Sequence, residues 1–180
     1  EVFIKEDSKW AKREENGQLV FDQIQYIIDT LKEMKIDPNH RNGRRLIVLA
    51  WNPGNAAVSK LPPCHYTFAF NVLGSKLNCH LTQRSGDIAL GIPFNLACYS
   101  LLTMMIAKEC GYELGEFAHT IIDAHIYENH IDGLKEQLTR IPGELPTVKI
   151  ADKPFNELKF EDITLENYNP QPLIKFEVAV

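Results

Sequence analysis

Residues 65–87 read HYTFAFNVLGSKLNCHLTQRSGD. Tyr66, Phe68, Phe70 and Val72 alternate with Thr67, Ala69 and Asn71, the period-two pattern of a strand with one buried face. Leu77, Cys79 and Leu81 alternate in the same way, and Gly74-Ser75 between the two runs supplies a hairpin turn. Downstream, Pro93 suits a first helical turn, and an apolar run continues to about Glu109 before Gly111 stops it, which predicts a buried helix. Phe117–Tyr127 reads as another strand. Ile131, Leu134 and Leu138 recur at helical spacing and predict a helix over Asn129–Arg140, ended by Pro142 and Gly143. Weak strands are expected at Thr147–Ile150 and Leu173–Val180. Upstream, Leu46–Trp51 is a short apolar strand, and Asn52–Lys60 is a loop closed by Pro62-Pro63. Phe21, Ile24, Ile28 and Leu31 predict an amphipathic helix over 20–35, which the turn chemistry of Asp37–Gly43 ends. Residues 1–19 are a polar segment or a cut end, and 20–180 form one domain. Strands and helices mix without strict β–α–β alternation, so the expected class is α+β.

Composition narrows the function. Of 180 residues, 44% are hydrophobic, enough for a real core. Lys and Arg number 19 against 24 Asp and Glu, a net charge of −5 that disfavours broad nucleic-acid coating but not a local basic pocket for one phosphate. No apolar run approaches the roughly 18–20 residues of a membrane span; the longest, Ala97–Ala107, is broken by Ser100 and Thr103. The first ten residues lack a signal-peptide core. Cys64, Cys79, Cys98 and Cys110 lack disulfide-scaffold spacing, which favours a reducing compartment, the cytoplasm. Cys79, Cys98 and Cys110 are expected to fill core space. Cys64-His65 and Cys79-His80 are adjacent pairs that point to opposite faces of a strand, so no metal is expected.

Several residues are candidates for chemistry. Cys64 follows two prolines at the rim of a strand, a place where a thiol can be exposed and held still as a nucleophile, although an ordinary buried cysteine reads the same way. Arg84 and Ser85, in Gln83-Arg84-Ser85-Gly86-Asp87, suit a phosphate, and Arg84 beside Cys64 would favour the thiolate; a solvated turn is the alternative. Arg44-Arg45 is a second basic pair, or a solvated surface. Asn95 opens the buried helix, where its amide either reads a base edge or satisfies the helix start. Asp123, His125 and Tyr127 share one face of the predicted strand, forming a polar pocket or a solvent-facing edge.

Taken in order, these motifs closely resemble thymidylate synthase, a folate-dependent family with a cysteine nucleophile. The matching strings are Arg44-Arg45, Ala50-Trp51-Asn52-Pro53, Pro63-Cys64-His65, Gln83-Arg84-Ser85-Gly86-Asp87, Leu90-Gly91-Ile92-Pro93-Phe94-Asn95 and Asp123-Ala124-His125-Ile126-Tyr127. Tyr168-Asn169-Pro170 through Val178-Ala179-Val180 also matches, and the resemblance runs from about residue 20 to the last. It implies a mixed sheet packed by helices and a homodimer joined through a sheet face. It implies reductive methylation of 2′-deoxyuridine 5′-monophosphate (dUMP) to thymidine monophosphate (dTMP), with 5,10-methylenetetrahydrofolate as carbon and hydride donor and no metal. By resemblance, Cys64 attacks C6 of the uracil, with Arg84, Asn95 and Asp87 as catalytic partners. Arg84 and Ser85 hold the phosphate, which Arg44 and Arg45 reach from the other subunit. Gln83 joins the nucleotide network, Asn95 binds O4 and N3–H, and His125 and Tyr127 take the sugar hydroxyl. Asp87 contacts the pterin, and Leu90, Gly91, Phe94 and Val180 pack around it. An amide at 95 suits uracil rather than cytosine, which argues against a cytidylate hydroxymethylase.

The sequence also departs from the family. Glu6-Asp7-Ser8-Lys9-Trp10 replaces its Tyr-Gly before a tryptophan, and the loop His40–Gly43 is longer. Ile122 stands where glycine is usual, and a β-branched residue cannot follow glycine into positive φ without strain. The family's N-terminal segment, with another phosphate-binding arginine, an active-site glutamate and tryptophans against the folate, has no assignable counterpart. Three readings follow: a partial chain of a synthase, a shortened nucleotide-binding homologue without turnover, or a shortened enzyme completed from elsewhere.

Overall fold

The alternation over residues 65–87 produces the central hairpin of a four-stranded sheet. In the computed structural model, which describes residues 7–56 and 58–178, the elements run β1 (Ala11–Arg13), β2 (Leu19–Phe21), α1 (Gln23–Ile36), β3 (Ile47–Leu49), α2 (Pro53–Ala56), β4 (His65–Leu73) and β5 (Lys76–Asp87). There follow α3 (Gly91–Cys110), β6 (Glu113–His125), α4 (Ile131–Leu138), β7 (Thr147–Ile150) and β8 (Ile163–Glu166). The main sheet has the order β3-β4-β5-β6. β3–β4 and β4–β5 are antiparallel, while β5–β6 is parallel, with α3 as the crossover. The sheet is therefore mixed, as the α+β class requires.

Local chemistry sets the element ends. Gly74 takes a left-handed φ of 62° in the hairpin turn, and Gly111 takes 69° at the end of α3, where its N–H bonds the Ala107 and Lys108 carbonyls. Asp22 caps α1 by accepting the Gln25 N–H at 2.9 Å. Pro38 follows Asp37 and disfavours further helix.

The inward strand positions, Val48, Phe68, Phe70, Leu77, Cys79 and Leu81, are buried against α1 (Ile27, Ile28, Leu31) and α3 (Tyr99, Ile106, Ala107, Cys110). Each fully buried Leu or Ile here stabilises the fold by about 1.5–3 kcal/mol. The outward positions differ: Ile47, Leu49 and Ile122 are exposed on the opposite face of the sheet.

Several expectations are corrected. The polar start is not all loop. β1 and β2 pair across a turn, and Trp10 packs edge-on to Tyr26 at 4.9 Å while its indole N–H donates to Asp29 at 3.0 Å. The helix over 20–35 begins only at Gln23, because Leu19–Phe21 is spent on β2. The loop Asn52–Lys60 contains the single turn α2. The strand over Phe117–Tyr127 starts at Glu113 and stops at His125, so Tyr127 lies beyond it and does not share its pleat with Asp123 and His125. No strand forms over 173–178, and residues 179–180 fall outside the described set. Cys98 is exposed on α3, unlike the buried Cys79 and Cys110. Ile122 sits in extended β6, and Asn167 is the one described non-glycine residue with positive φ, so the replacement of glycine strains nothing there. No helix among the described residues is long and apolar enough to cross a membrane.

Candidate active site

Strand pairing brings Cys64 and Arg84 together. Cys64 immediately precedes β4, and its carbonyl accepts the Arg84 N–H at 2.8 Å. The Arg84 guanidinium folds back on the same stretch: Nε donates to the Pro63 carbonyl at 3.1 Å and Nη2 to the Pro62 carbonyl at 2.7 Å. The two prolines donate no N–H themselves, so their carbonyls are open to a side chain. The half-buried Cys64 thus directly follows the two residues to which the guanidinium is tied.

The preceding residue of β5 lies on the other face. Gln83 is buried to 2% exposure and every polar atom is engaged. Its Nε2 donates to the Ser85 carbonyl at 2.9 Å and to Asn95 Oδ1 at 3.0 Å. Its Oε1 lies 3.0 Å from His119 Nε2; an amide oxygen only accepts, so His119 donates from Nε2. Burial, aided by the neighbouring His80, holds the His119 pKa below its usual value, which favours that neutral form. The chain His119→Gln83→Asn95 orients the Asn95 amide, leaving its Nδ2 hydrogens for something outside the network.

Parallel pairing of β5 and β6 completes the cluster by setting Ser85 beside Asp123 and Asp87 beside His125. Asp87 Oδ1 accepts the Ala89 N–H at 2.9 Å. Gly86 has a steric reason: a Cβ there would stand 2.6 Å from Ile92 Cδ1 and 3.1 Å from Ile121 Cγ2, holding α3 off the sheet. His125 meets Tyr127 edge to face at 5.1 Å, and its Nδ1 lies 3.8 Å from an Asp123 carboxylate oxygen. Leu90 and Gly91 begin α3 beside Asp87, and Phe94 one turn on is 70% exposed. Val180 lies outside the described residues.

Arg44 and Arg45 are not part of this cluster. Both are exposed, and Arg45 donates to Asn42 Oδ1 at 3.1 Å. The Phe70 N–H bonds the Leu46 carbonyl, so Arg45 lies against the far half of β4. At about 3.3 Å per residue, that is roughly 20 Å from Cys64 along the strand. Among the described residues, no group of three His, Cys, Asp or Glu side chains is placed to hold a metal ion.

The family model described as thymidylate synthase matches residues 4–180, nearly the whole chain. The chain belongs to the thymidylate synthase family. A thymidylate synthase of Haloferax volcanii is 42% identical over 214 residues, spanning 91% of this chain and 61% of its own length. One from Listeria monocytogenes serotype 4a (strain HCC23) is 50% identical over 159 residues, spanning 87% of this chain and 50% of its own. One from Listeria innocua serovar 6a is likewise 50% identical over 159 residues. The chain therefore spans about half to three fifths of the length of these relatives.

Two residues of the cluster escape sequence reasoning. His119 carries a local clue, since it alternates with Phe117 and Ile121 on the inward face of β6, but only the register with β5 brings it to Gln83. His130 is wholly buried next to Asp87, and no spacing signals it.

Proposed function

We propose that this chain carries the nucleotide-binding and nucleophilic core of a thymidylate synthase, acting on dUMP with 5,10-methylenetetrahydrofolate as co-substrate. The observation that carries this reading is the pairing of the Cys64 and Arg84 main chains with the guanidinium folded onto Pro62 and Pro63, beside the Gln83–Asn95 amide pair. The Cys64 thiolate adds to C6 of the uracil, and the ring electrons move onto O4 as an enolate. An Asn95 Nδ2–H donates to that oxygen as its charge develops, which is where a fixed donor lowers the barrier. C5, now nucleophilic, takes the methylene carbon of the folate as the bond from that carbon to N10 breaks; loss of the C5 proton then expels N5 and leaves an exocyclic methylene on C5. A hydride from the folate reduces the methylene to methyl, the Sγ–C6 bond breaks, and dTMP and dihydrofolate leave. Splitting carbon–carbon bond formation over a covalent adduct is the advantage of the thiol.

Arg84 and Ser85 hold the phosphate, exchanging the proline carbonyls for a better acceptor. His125 and Tyr127 take the sugar hydroxyl. Asp87 meets the pterin over a floor of Leu90, Gly91 and Phe94, with Val180 closing from the C-terminus. Arg44 and Arg45 serve the phosphate of a second copy, which their distance from Cys64 in their own chain supports. The exposed Ile47, Leu49 and Ile122 on the outer sheet face give that copy an apolar seat. Asn95 also speaks against cytidylate hydroxymethylation: its Oδ1 already accepts from Gln83, so the hydrogens it presents match a carbonyl better than an amino group.

Release of tritium from C5-labelled dUMP, with and without the folate, is the test. Folate-dependent release that disappears in Cys64→Ser supports turnover. Nucleotide binding without release assigns the chain to the non-catalytic reading, and release that survives Cys64→Ser removes the thiol from the reaction.

A further inference from the structure

His130 immediately precedes α4 and is wholly buried. Its Nε2 lies 2.6 Å from the Glu177 carbonyl oxygen, and since a carbonyl only accepts, Nε2 carries the proton and donates. In the neutral ring Nδ1 is then a bare acceptor. It has no hydrogen-bond partner, and it faces Asp87 Oδ1 at 3.7 Å. That oxygen is itself an acceptor, already taking the Ala89 N–H. The ring is wedged edge-on between Tyr127 at 5.6 Å and Phe176 at 5.2 Å, which opposes rotation away from either contact. Asn129 adds a second tie, its Nδ2 donating to the same Glu177 carbonyl at 3.2 Å.

We infer that His130 is a positioning residue: one imidazole ties the C-terminal segment 174–178 to Asp87, so that the seating of the segment and the orientation of the carboxylate change together. Nε2–H holds the segment by the Glu177 carbonyl. Nδ1 is the fixed point against which Asp87 turns. Two facing acceptors at this distance repel, so a shift of the ring is felt by the carboxylate and a turn of the carboxylate by the ring. This inference rests on the proposed role of Asp87 at the folate, but the coupling itself is read without ligand.

The measurement is the rate of tryptic cleavage after Lys175, which reports the population in which the segment has lifted. The side-chain amide of asparagine reaches the Nδ1 position, and that of glutamine reaches Nε2. His130→Asn drops the tether, and cleavage accelerates about tenfold. His130→Gln keeps the tether and stays within about twofold of wild type. Asp87→Ala removes the oxygen that faces Nδ1, relieves the facing acceptors and slows cleavage about threefold; in the His130→Gln background the same change has no effect. With dUMP present, His130→Gln weakens binding of 5,10-methylenetetrahydrofolate about tenfold and leaves dUMP affinity within about twofold. Cleavage indifferent to Asp87→Ala overturns the coupling, and so does a His130→Gln variant that loses dUMP and folate affinity alike. A wild-type chain that binds no folate defeats the functional reading alone, and the cleavage rates still decide the coupling.

Discussion

The four thiols of this chain sit in different physical environments despite their common chemistry. Burial pushes the Cys79 thiol up to about 11, against a small opposing hydrogen bond from Thr103, and burial pushes Cys110 up to about 12. At pH 8 the thiolate fraction of either is about a thousandth or less. Cys98 is exposed and Cys64 half-buried. Alkylation followed by mass spectrometry is therefore expected to label Cys64 and Cys98 in the folded chain and to reach Cys79 and Cys110 only on unfolding. Bound dUMP is expected to protect Cys64 and leave Cys98 reactive; protection of both, or rapid labelling of Cys110, contradicts this placement. Much of this cluster was legible in the sequence, because Gln83, Arg84, Ser85 and Asp87 share one strand and Cys64 immediately precedes the strand beside it. The expectation that Cys98 fills core space failed because α3 is apolar all round its surface, and such a helix does not reveal which side meets the sheet. The roles of His119 and His130 were not legible for a related reason: each acts on a residue far away in sequence, through β-sheet register or a returning C-terminal segment.

At the scale of elements, α1 and α3 share the inward face of the sheet and are pinned by an ion pair between Lys32 and Glu109, whose second carboxylate oxygen accepts the Phe155 N–H at 2.9 Å. The Lys32 hydrogen bond, chiefly, holds the Glu109 carboxyl below the usual carboxylate range, and the same bond raises Lys32. A depressed folded value means that the unfolded chain binds more protons near pH 4. The stabilisation is therefore complete above the unfolded pKa and is lost as pH falls through the folded one. Lys32 is half exposed, so solvent screening limits the pair to about 0.5–1 kcal/mol. Glu109→Gln is expected to lower stability by about that amount at pH 7 and to match wild type in acid, as read by urea unfolding at both pH values; an equal deficit at both would assign the effect to packing. The hairpin β4–β5 and helix α3 were readable because alternation, a turn glycine and a C-terminal glycine agree. The segment 173–178 misled because Ile174, Phe176 and Val178 alternate as a strand would. Ile174 and Phe176 instead lie against Gly133 of α4, where a Cβ would meet Phe176 Cε1 at 2.6 Å and Ile174 Cγ2 at 3.1 Å. A period of two marks a one-sided extended segment, and a helix with a glycine can serve as the other side.

For the whole molecule, the decisive geometry is that Arg45 and Cys64 sit at opposite ends of β4, roughly 20 Å apart, while both motifs are expected at one phosphate. A rigid sheet cannot bring them together within one chain. On the proposed two-fold pairing of outer sheet faces, each offering the exposed Ile47, Leu49 and Ile122, the Arg45 that serves one copy's Cys64 would come from the second copy. The consequence is arithmetical. Cys64→Ser and Arg45→Ala are each expected to abolish or strongly reduce tritium release from labelled dUMP. When the two inactive variants are mixed and allowed to exchange subunits, half of the dimers pair one of each. In such a dimer one site has lost both residues, and the other draws Cys64 from one chain and Arg45 from its partner, both intact. Activity should therefore recover to about a quarter of wild type, by way of a dimeric species seen in sedimentation. Recovery must also be blocked by Ile122→Asp in both variants, because a charge buried in the paired faces separates the copies. If the mixture stays inactive while sedimentation reports mixed dimers, Arg45 does not serve the neighbouring site. If a monomer turns over dUMP, the sheet-face pairing has no part in the chemistry.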